Sequence, residues 1–162
     1  MMAMDKAEIK RKSILGAVLL LTLIAVVMVD DEDFDTYLVE RSYQKSNLDN
    51  PFLAFNDGPP FLQFMEDVKN GKEQAPLLVL LDINMPRMNG HEFLAALRDS
   101  EKLKHARVFV FTTSDSKKDI DLAYKNNVSG YIVKPNSSSV LRNILLSLQN
   151  FWDICENPSE AL

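Results

Sequence analysis

The segment Leu77-Leu78-Val79-Leu80-Leu81-Asp82-Ile83-Asn84-Met85-Pro86 constrains this chain more than any other. A run of five apolar residues closes on one carboxylate and meets a proline four positions later. Apolar runs of this length with a breaker behind them read as a strand buried on both faces of a parallel sheet. A carboxylate at the carboxyl end of such a strand stands at the sheet edge where open α/β proteins place their ligands. Asp82 is therefore expected to be too exposed for a core role and too well placed to be an incidental surface acid.

The rest of the chain repeats the pattern. Leu23 to Val29 reads as an apolar strand tipped by Asp30 and Asp31. A helical stretch follows to about Lys45, with Phe34, Tyr37, Leu38 and Tyr43 as its apolar face. Phe52 to Phe55 is a short strand, closed by the turn Asn56-Asp57-Gly58 and by Pro59-Pro60. Phe61, Phe64, Met65 and Val68 then recur at helical spacing up to Lys69. After the opening strand come a helix from His91 to about Asp99, a strand Val108 to Phe111 ending in Thr112, and a helix Lys117 to Lys125 capped by Ser116 or Asp115. Tyr131 to Val133 forms a last strand before Lys134-Pro135. A final helix starts at Ser137 to Ser139 and carries Leu141, Ile144, Leu145 and Leu148 as core. Five strands alternating with five helices predict right-handed βαβ units and a doubly wound, five-stranded parallel α/β sheet.

Bulk properties narrow the partners. At 162 residues the chain fits one domain, and its net charge of −5 argues against a nucleic-acid surface. The single cysteine, Cys155, forms no intrachain disulfide and fits a reducing compartment. His91 and His105 sit in polar contexts and support no zinc site. The N-terminus is less ordinary: Lys6 to Lys12 is basic and Ile14 to Val29 is almost uninterruptedly apolar. Sixteen residues is short for a membrane span, and the strand needs the last of them. We divide the chain into a basic and apolar extension (1–22), one domain (23–153) and a tail (154–162).

Parallel strands all end on one side of a sheet. Asp30, Asp31, Asp82, Thr112 and Lys134 are thus expected at one rim. A lone strand-terminal acid or lysine is usually a solvated cap, but five such residues together are not. Three crowded carboxylates repel and take up protons unless a cation holds them ionised. Hard oxygen ligands with room for water suit Mg²⁺. A lysine ammonium and a threonine hydroxyl opposite that ion supply what a phosphoryl group needs in charge and hydrogen bonds. The chemistry read from these residues is phosphoryl transfer to a carboxylate, with Asp82 as nucleophile.

Val29-Asp30-Asp31, Asp82-Ile83-Asn84-Met85-Pro86 with Gly90, Thr112, and Lys134-Pro135 together resemble the signature of a two-component response-regulator receiver domain. The likeness runs from Leu23 to about Trp152. It implies the flavodoxin-like (CheY-like) fold. Phe109-Val110-Phe111-Thr112-Thr113-Ser114-Asp115, Ala123-Tyr124 and Phe151-Trp152 resemble more narrowly the stand-alone receivers associated with phytochrome-type sensor kinases. The resemblance implies that Asp82 accepts a phosphoryl group from a histidine kinase or histidine phosphotransfer protein. Asp31 binds Mg²⁺ directly in that scheme, Asp30 largely through water, and the backbone carbonyl of Asn84 completes the protein ligands. Lys134 pairs with the phosphoryl oxygens or with Asp82. Thr112 moves toward the phosphoryl group, and Tyr131 turns inward as the switch aromatic. The resemblance further implies a cytoplasmic bacterial signalling protein rather than a metabolic enzyme. Its output would be protein–protein contact or phosphorelay, since no effector domain follows. Its dimer face would be the fourth helix, fifth strand and fifth helix. Phe151 and Trp152 are read either as a dimer contact or as packing under the tail.

Two other phosphoryl-related readings compete. A haloacid-dehalogenase-type phosphohydrolase places an acid two residues after its nucleophile, where this chain has Asn84, which protonates nothing. A pseudo-receiver scaffold loses one or more cluster residues, and all are present here.

Overall fold

The computed structural model describes residues 26–46, 48, 50–56, 58–70, 78–86, 89–101 and 103–155. The extension over residues 1–22, the first part of the Leu23–Val29 strand, Arg87, Met88 and residues 156–162 of the tail lie outside the described residues.

Ten elements alternate along the chain: β1 (Val26–Val29), α1 (Asp33–Lys45), β2 (Phe52–Phe55), α2 (Gly58–Lys69), β3 (Leu78–Leu81), α3 (Gly90–Asp99), β4 (Val108–Thr112), α4 (Lys117–Lys125), β5 (Gly130–Val133) and α5 (Ser138–Asp153). The strands form one sheet in the order β2-β1-β3-β4-β5, and every pairing is parallel. Every residue of β1, β3 and β4 is buried. Apolar runs without alternation are what a sheet covered on both faces demands.

Alternate residues of each strand feed two cores. Val27, Val29, Val79, Leu81, Val108 and Val110 pack under α2, α3 and α4, with Phe61, Phe64, Phe93 and Leu94 as the bulk of that layer. Val26, Met28, Leu78, Leu80, Phe109 and Phe111 face α1 and α5 through Val39, Tyr43, Leu141 and Leu145. Both faces are thus closed, and only the strand ends remain for chemistry. The chain turns from β2 on one side of β1 to β3 on the other, so the order reverses between β1 and β3. In open α/β sheets that reversal opens a crevice at the carboxyl ends of the strands.

Local chemistry sets the helix starts. Asn89, Ser116 and Ser137 cap α3, α4 and α5 by accepting the backbone N–H of His91, Asp119 and Val140. Gly58-Pro59-Pro60, expected as a closing turn, is instead the first turn of α2. Proline is tolerated there because its missing N–H would have had no partner in the helix and its fixed φ suits the first turn. The apolar face of α1 also differs from expectation. Phe34 and Tyr37 are exposed, at 67% and 53%, whereas Val39 and Tyr43, four apart, are buried. Trp152 packs on the second core, and Phe151 sets its ring edge-on to Phe109 with centroids 6.2 Å apart. Arg107 lies over the Trp152 ring at 4.7 Å. The aromatic pair thus packs against the sheet, with Phe151 keeping 41% of its surface exposed.

Arg98, in the last turn of α3, ties the far side together. Its guanidinium donates to the carbonyls of Lys104, Ala106, Asn126 and Asn127 at 2.8 to 2.9 Å. One side chain thereby fixes both the loop into β4 and the turn into β5, where Asn127 takes a left-handed φ of 54°. Among the described residues, no helix is long and apolar enough to cross a membrane.

Candidate functional site

The parallel ladder continues one residue past the strands and thereby sets the rim. The Asp30 N–H donates to the Phe55 carbonyl at 3.0 Å, the Asp82 N–H to Val29 at 2.9 Å, and the Lys134 N–H to Thr112 at 2.7 Å. Each tip residue is held by its neighbour's backbone, so side chains distant in sequence converge with little freedom. Carboxylate oxygens of Asp30, Asp31 and Asp82 all lie within 4.8 Å of one another. The Lys134 ammonium stands 2.7 Å from Asp30 Oδ2 and 3.2 Å from Asp82 Oδ2. Thr112 is fully buried on the adjacent strand end.

Asp82 departs from expectation in one respect: only 5% of it is exposed. Lys134, whose side chain is 8% exposed, lies against one side of it. Its Oδ1 accepts the Asn84 N–H at 3.0 Å. The peptide of Asn84 therefore lies beside the carboxylate, and an Asn84–Asn89 bridge closes the loop behind it. Gly90 is required at the end of this loop by close approach. A Cβ there would stand 2.5 Å from Ile83 Cα and 2.6 Å from the Asp82 carbonyl oxygen.

The charges do not balance. Burial raises the Asp30 carboxyl to about 6, an effect that hydrogen bonding and charge from Lys134 only partly offset. Burial alone would lower the Lys134 ammonium. Hydrogen bonds to Asp30 and Asp35, with the charges of Asp30 and Asp82, reverse this and hold it well above the usual lysine range. Asp30 Oδ2 meets the Lys134 ammonium as an ion pair at 2.7 Å. Asp31 Oδ1 is buried and accepts no hydrogen bond. A buried oxygen without a donor, next to a carboxyl driven toward protonation, fits a cation-binding site. The donor set, all carboxylate and peptide oxygen, suits a hard divalent ion.

Thr112 and Tyr131 meet through Ser114. Thr112 Oγ1 lies 3.4 Å from the Ser114 N–H and 3.5 Å from Asn84 Nδ2, both long contacts. The half-buried Tyr131 donates its hydroxyl to the Ser114 carbonyl at 2.9 Å. Burial pushes its phenol above the ordinary tyrosine range.

Two parts of the site escaped the sequence reading. Asp35, in the first turn of α1, accepts a hydrogen bond from the Lys134 ammonium at 2.8 Å. Helical spacing gave no signal for it, because Asp31 precedes the helix and Asp35 lies in its first turn. His91 was placed in a polar context but is only 9% exposed. Its Nε2 lies 3.2 Å from Asp119 Oδ1. Asp119 also accepts the hydroxyls of Ser114 at 2.6 Å and Ser116 at 2.9 Å. Those two bonds, foremost the one from Ser114, with His91 adding less, hold the Asp119 carboxyl below the usual carboxylate range. A histidine at the start of α3 is thus linked to the loop that carries Ser114.

Comparison with known proteins agrees with this geometry. Residues 26–146 match the sequence profile of the response regulator receiver domain. The chain is 30% identical over 127 residues to a probable methanogenesis regulatory protein, FilR2, of Methanothrix harundinacea, covering 78% of this chain and 82% of that protein. It is 30% identical over 130 residues to the response regulator Rcp1 of Synechocystis, covering 78% and 87%. The crystal structure of Mn²⁺-bound Rcp1 superposes with a TM-score of 0.73 at 27% identity, over 84% of this chain and 99% of that one. The phosphorylated cyanobacterial phytochrome response regulator RcpA superposes with a TM-score of 0.74 at 26% identity, over 84% and 98%.

Proposed function

This chain belongs to the response regulator receiver domain family and is a response regulator of two-component signalling, and from that premise we propose that Asp82 is its phosphoryl acceptor. The observation that carries the assignment is the convergence on Asp82 of an ammonium at 3.2 Å and of two further carboxylates within 4.8 Å. The phosphoryl donor is a phosphohistidine on a sensor kinase or a histidine phosphotransfer protein. An Asp82 oxygen attacks phosphorus, and the histidine leaves. Asp82 is held for this by the Asn84 N–H on Oδ1, which leaves Oδ2 for the reaction.

Asp30, Asp31, Asp82 and the Asn84 carbonyl would hold Mg²⁺. When bound, the ion neutralises the carboxylates and the charge that gathers on the transferring group. Lys134 supplies a cation beside the acceptor and shifts one N–H from Asp82 Oδ2 to a phosphoryl oxygen. Thr112 turns its hydroxyl to the same group, a motion that the long contacts of its Oγ1 oppose only weakly. Tyr131 then follows into the space that Thr112 leaves. Its bond to Ser114, next but one to Thr112, supports such coupling. The signal leaves through protein contact at the face of α4, β5 and α5, where Tyr124 and Val133 are exposed. That face also serves a homodimer, in a cytoplasmic protein.

Incubation with acetyl phosphate and Mg²⁺, followed by intact-mass measurement, tests the proposal. One phosphoryl group should add to the native protein and none to Asp82→Asn. A native chain that takes up nothing, while remaining folded, would instead be a pseudo-receiver.

A further inference from the structure

Lys134 is bound more tightly away from the acceptor than toward it. Its ammonium lies 2.7 Å from Asp30 Oδ2 and 2.8 Å from Asp35 Oδ2, but 3.2 Å from Asp82 Oδ2. Three carboxylates share one cation that has three N–H donors. Asp30 and Asp82 belong to strand ends that the sheet fixes. Asp35 comes from another layer, the first turn of α1, and reaches a residue 99 positions away in sequence. We propose that Asp35 is a positioning residue for Lys134, tethering its ammonium between α1 and β5 so that one N–H points at the phosphoryl acceptor. This rests on the reading of Asp82 as that acceptor.

A lysine side chain has many rotamers, so an ammonium with fewer anchors spends less time in line with its target. Asp35 supplies the anchor that the reaction does not consume. During transfer the Asp82 contact passes to a phosphoryl oxygen, and Asp30 would be engaged as a ligand of the divalent ion. Asp35 has neither task and holds the ammonium throughout. Its 31% side-chain exposure sets it at the edge of the site, while its partner, at 8%, is shielded from water. The same contact joins the start of α1 to the loop after β5, so a displacement of α1 by a docked partner would reach Lys134 directly.

The alternative is an ordinary surface ion pair that merely tunes local charge. Salt separates the two, because at about 1 M the screening length falls to about 3 Å, which removes remote charge effects but not the geometry of a contact. The rate of phosphorylation by acetyl phosphate and Mg²⁺ should fall about tenfold in Asp35→Ala, about the effect of one lost orientation. Asp35→Glu should recover to within about threefold, and the deficit of Asp35→Ala should persist at about 1 M salt. A rate within about twofold of native at both salt concentrations, or a deficit that vanishes at high salt, would overturn the proposal. The Lys134 ammonium resonance in ¹⁵N NMR gives a readout that needs no phosphorylation. It should be sharp in the native protein and in Asp35→Glu and broadened by exchange in Asp35→Ala; an unchanged resonance refutes the tether. Uptake of the phosphoryl group by Asp82→Asn would sink the acceptor assignment alone.

Discussion

Gly90→Ala is a one-methyl perturbation whose cost can be worked from the structure. The added carbon would stand 2.5 Å from Ile83 Cα and 2.6 Å from the Asp82 carbonyl oxygen, about 0.9 Å short of the 3.4 Å of ordinary contact. Both obstacles are backbone, so no rotamer change relieves them. They also belong to the acceptor residue and its neighbour. Overpacking a well-filled site costs about 1–3 kcal/mol, and an unyielding backbone puts this case at about 3 kcal/mol. For a domain of this size that corresponds to a melting temperature lowered by about 10 °C. Relief by moving the β3–α3 loop would displace Asn84, whose N–H holds Asp82 Oδ1 at 3.0 Å. Misplacement of about 1 Å costs on the order of 100-fold in rate, so phosphorylation should fall much further than stability. Circular dichroism melting and the acetyl phosphate rate measure the two effects. At Gly130 a Cβ would meet only the Phe109 ring, at 2.8 Å, so Gly130→Ala should leave the phosphorylation rate near native. A Gly90→Ala variant melting within about 2 °C of native would refute the packing argument.

Arg98→Lys cannot reproduce four bonds to backbone carbonyls from one planar group. Urea denaturation should show a loss of about 1.5–3 kcal/mol, since an ammonium has three N–H donors and at least one charged hydrogen bond goes unmade. Metal affinity should depend on pH in a definite direction. The Asp30 carboxyl, raised by burial to about 6, must lose its proton to become an ionised ligand. Binding should therefore strengthen as pH rises through that value and be about fourfold weaker at about pH 5.5 than at about 7.5, as calorimetry would register. Asp31→Asn should weaken binding at both pH values, because it neutralises a ligand without removing the Asp30 proton. Asp119→Ala removes the acceptor of the Ser114 and Ser116 hydroxyls. Amide hydrogen exchange should speed up from Ser114 to Asp119, while protection in β4 stays native.

The sheet was legible because burial on two faces leaves an unmistakable trace: β3 is LVLL and β1 is VVMV. Once the strands were placed, parallel topology alone brought Asp30, Asp82, Thr112 and Lys134 to one rim. What escaped depends on direction within a turn or loop. Five acids fall between Asp30 and Asp35, and strand periodicity does not say which of those beyond the strand faces Lys134. Asp35 does because it lies in the first turn of a helix that begins at Asp33, a start that apolar spacing does not mark. Phe34 and Tyr37 misled for the same reason: their apolar character is real, but the helix turns them to solvent. The burial of Asp82 was also hidden, because Lys134, which lies against its carboxylate, is 52 residues further along. His91 looked polar by its neighbours, whereas its partner Asp119 lies 28 residues further along. Contacts of that separation follow from the packing of α3 beside α4, which no local pattern displays.

The most direct test of Asp82 as acceptor is to locate the phosphoryl group itself. After phosphorylation by acetyl phosphate and Mg²⁺, borohydride reduction converts an aspartyl phosphate to homoserine, a stable mark for peptide mass spectrometry. The mark is expected at Asp82 alone, with none on the neighbouring carboxylates Asp30, Asp31 or Asp35. Recovery of the mark at one of those three, with Asp82 unmodified, would contradict the account.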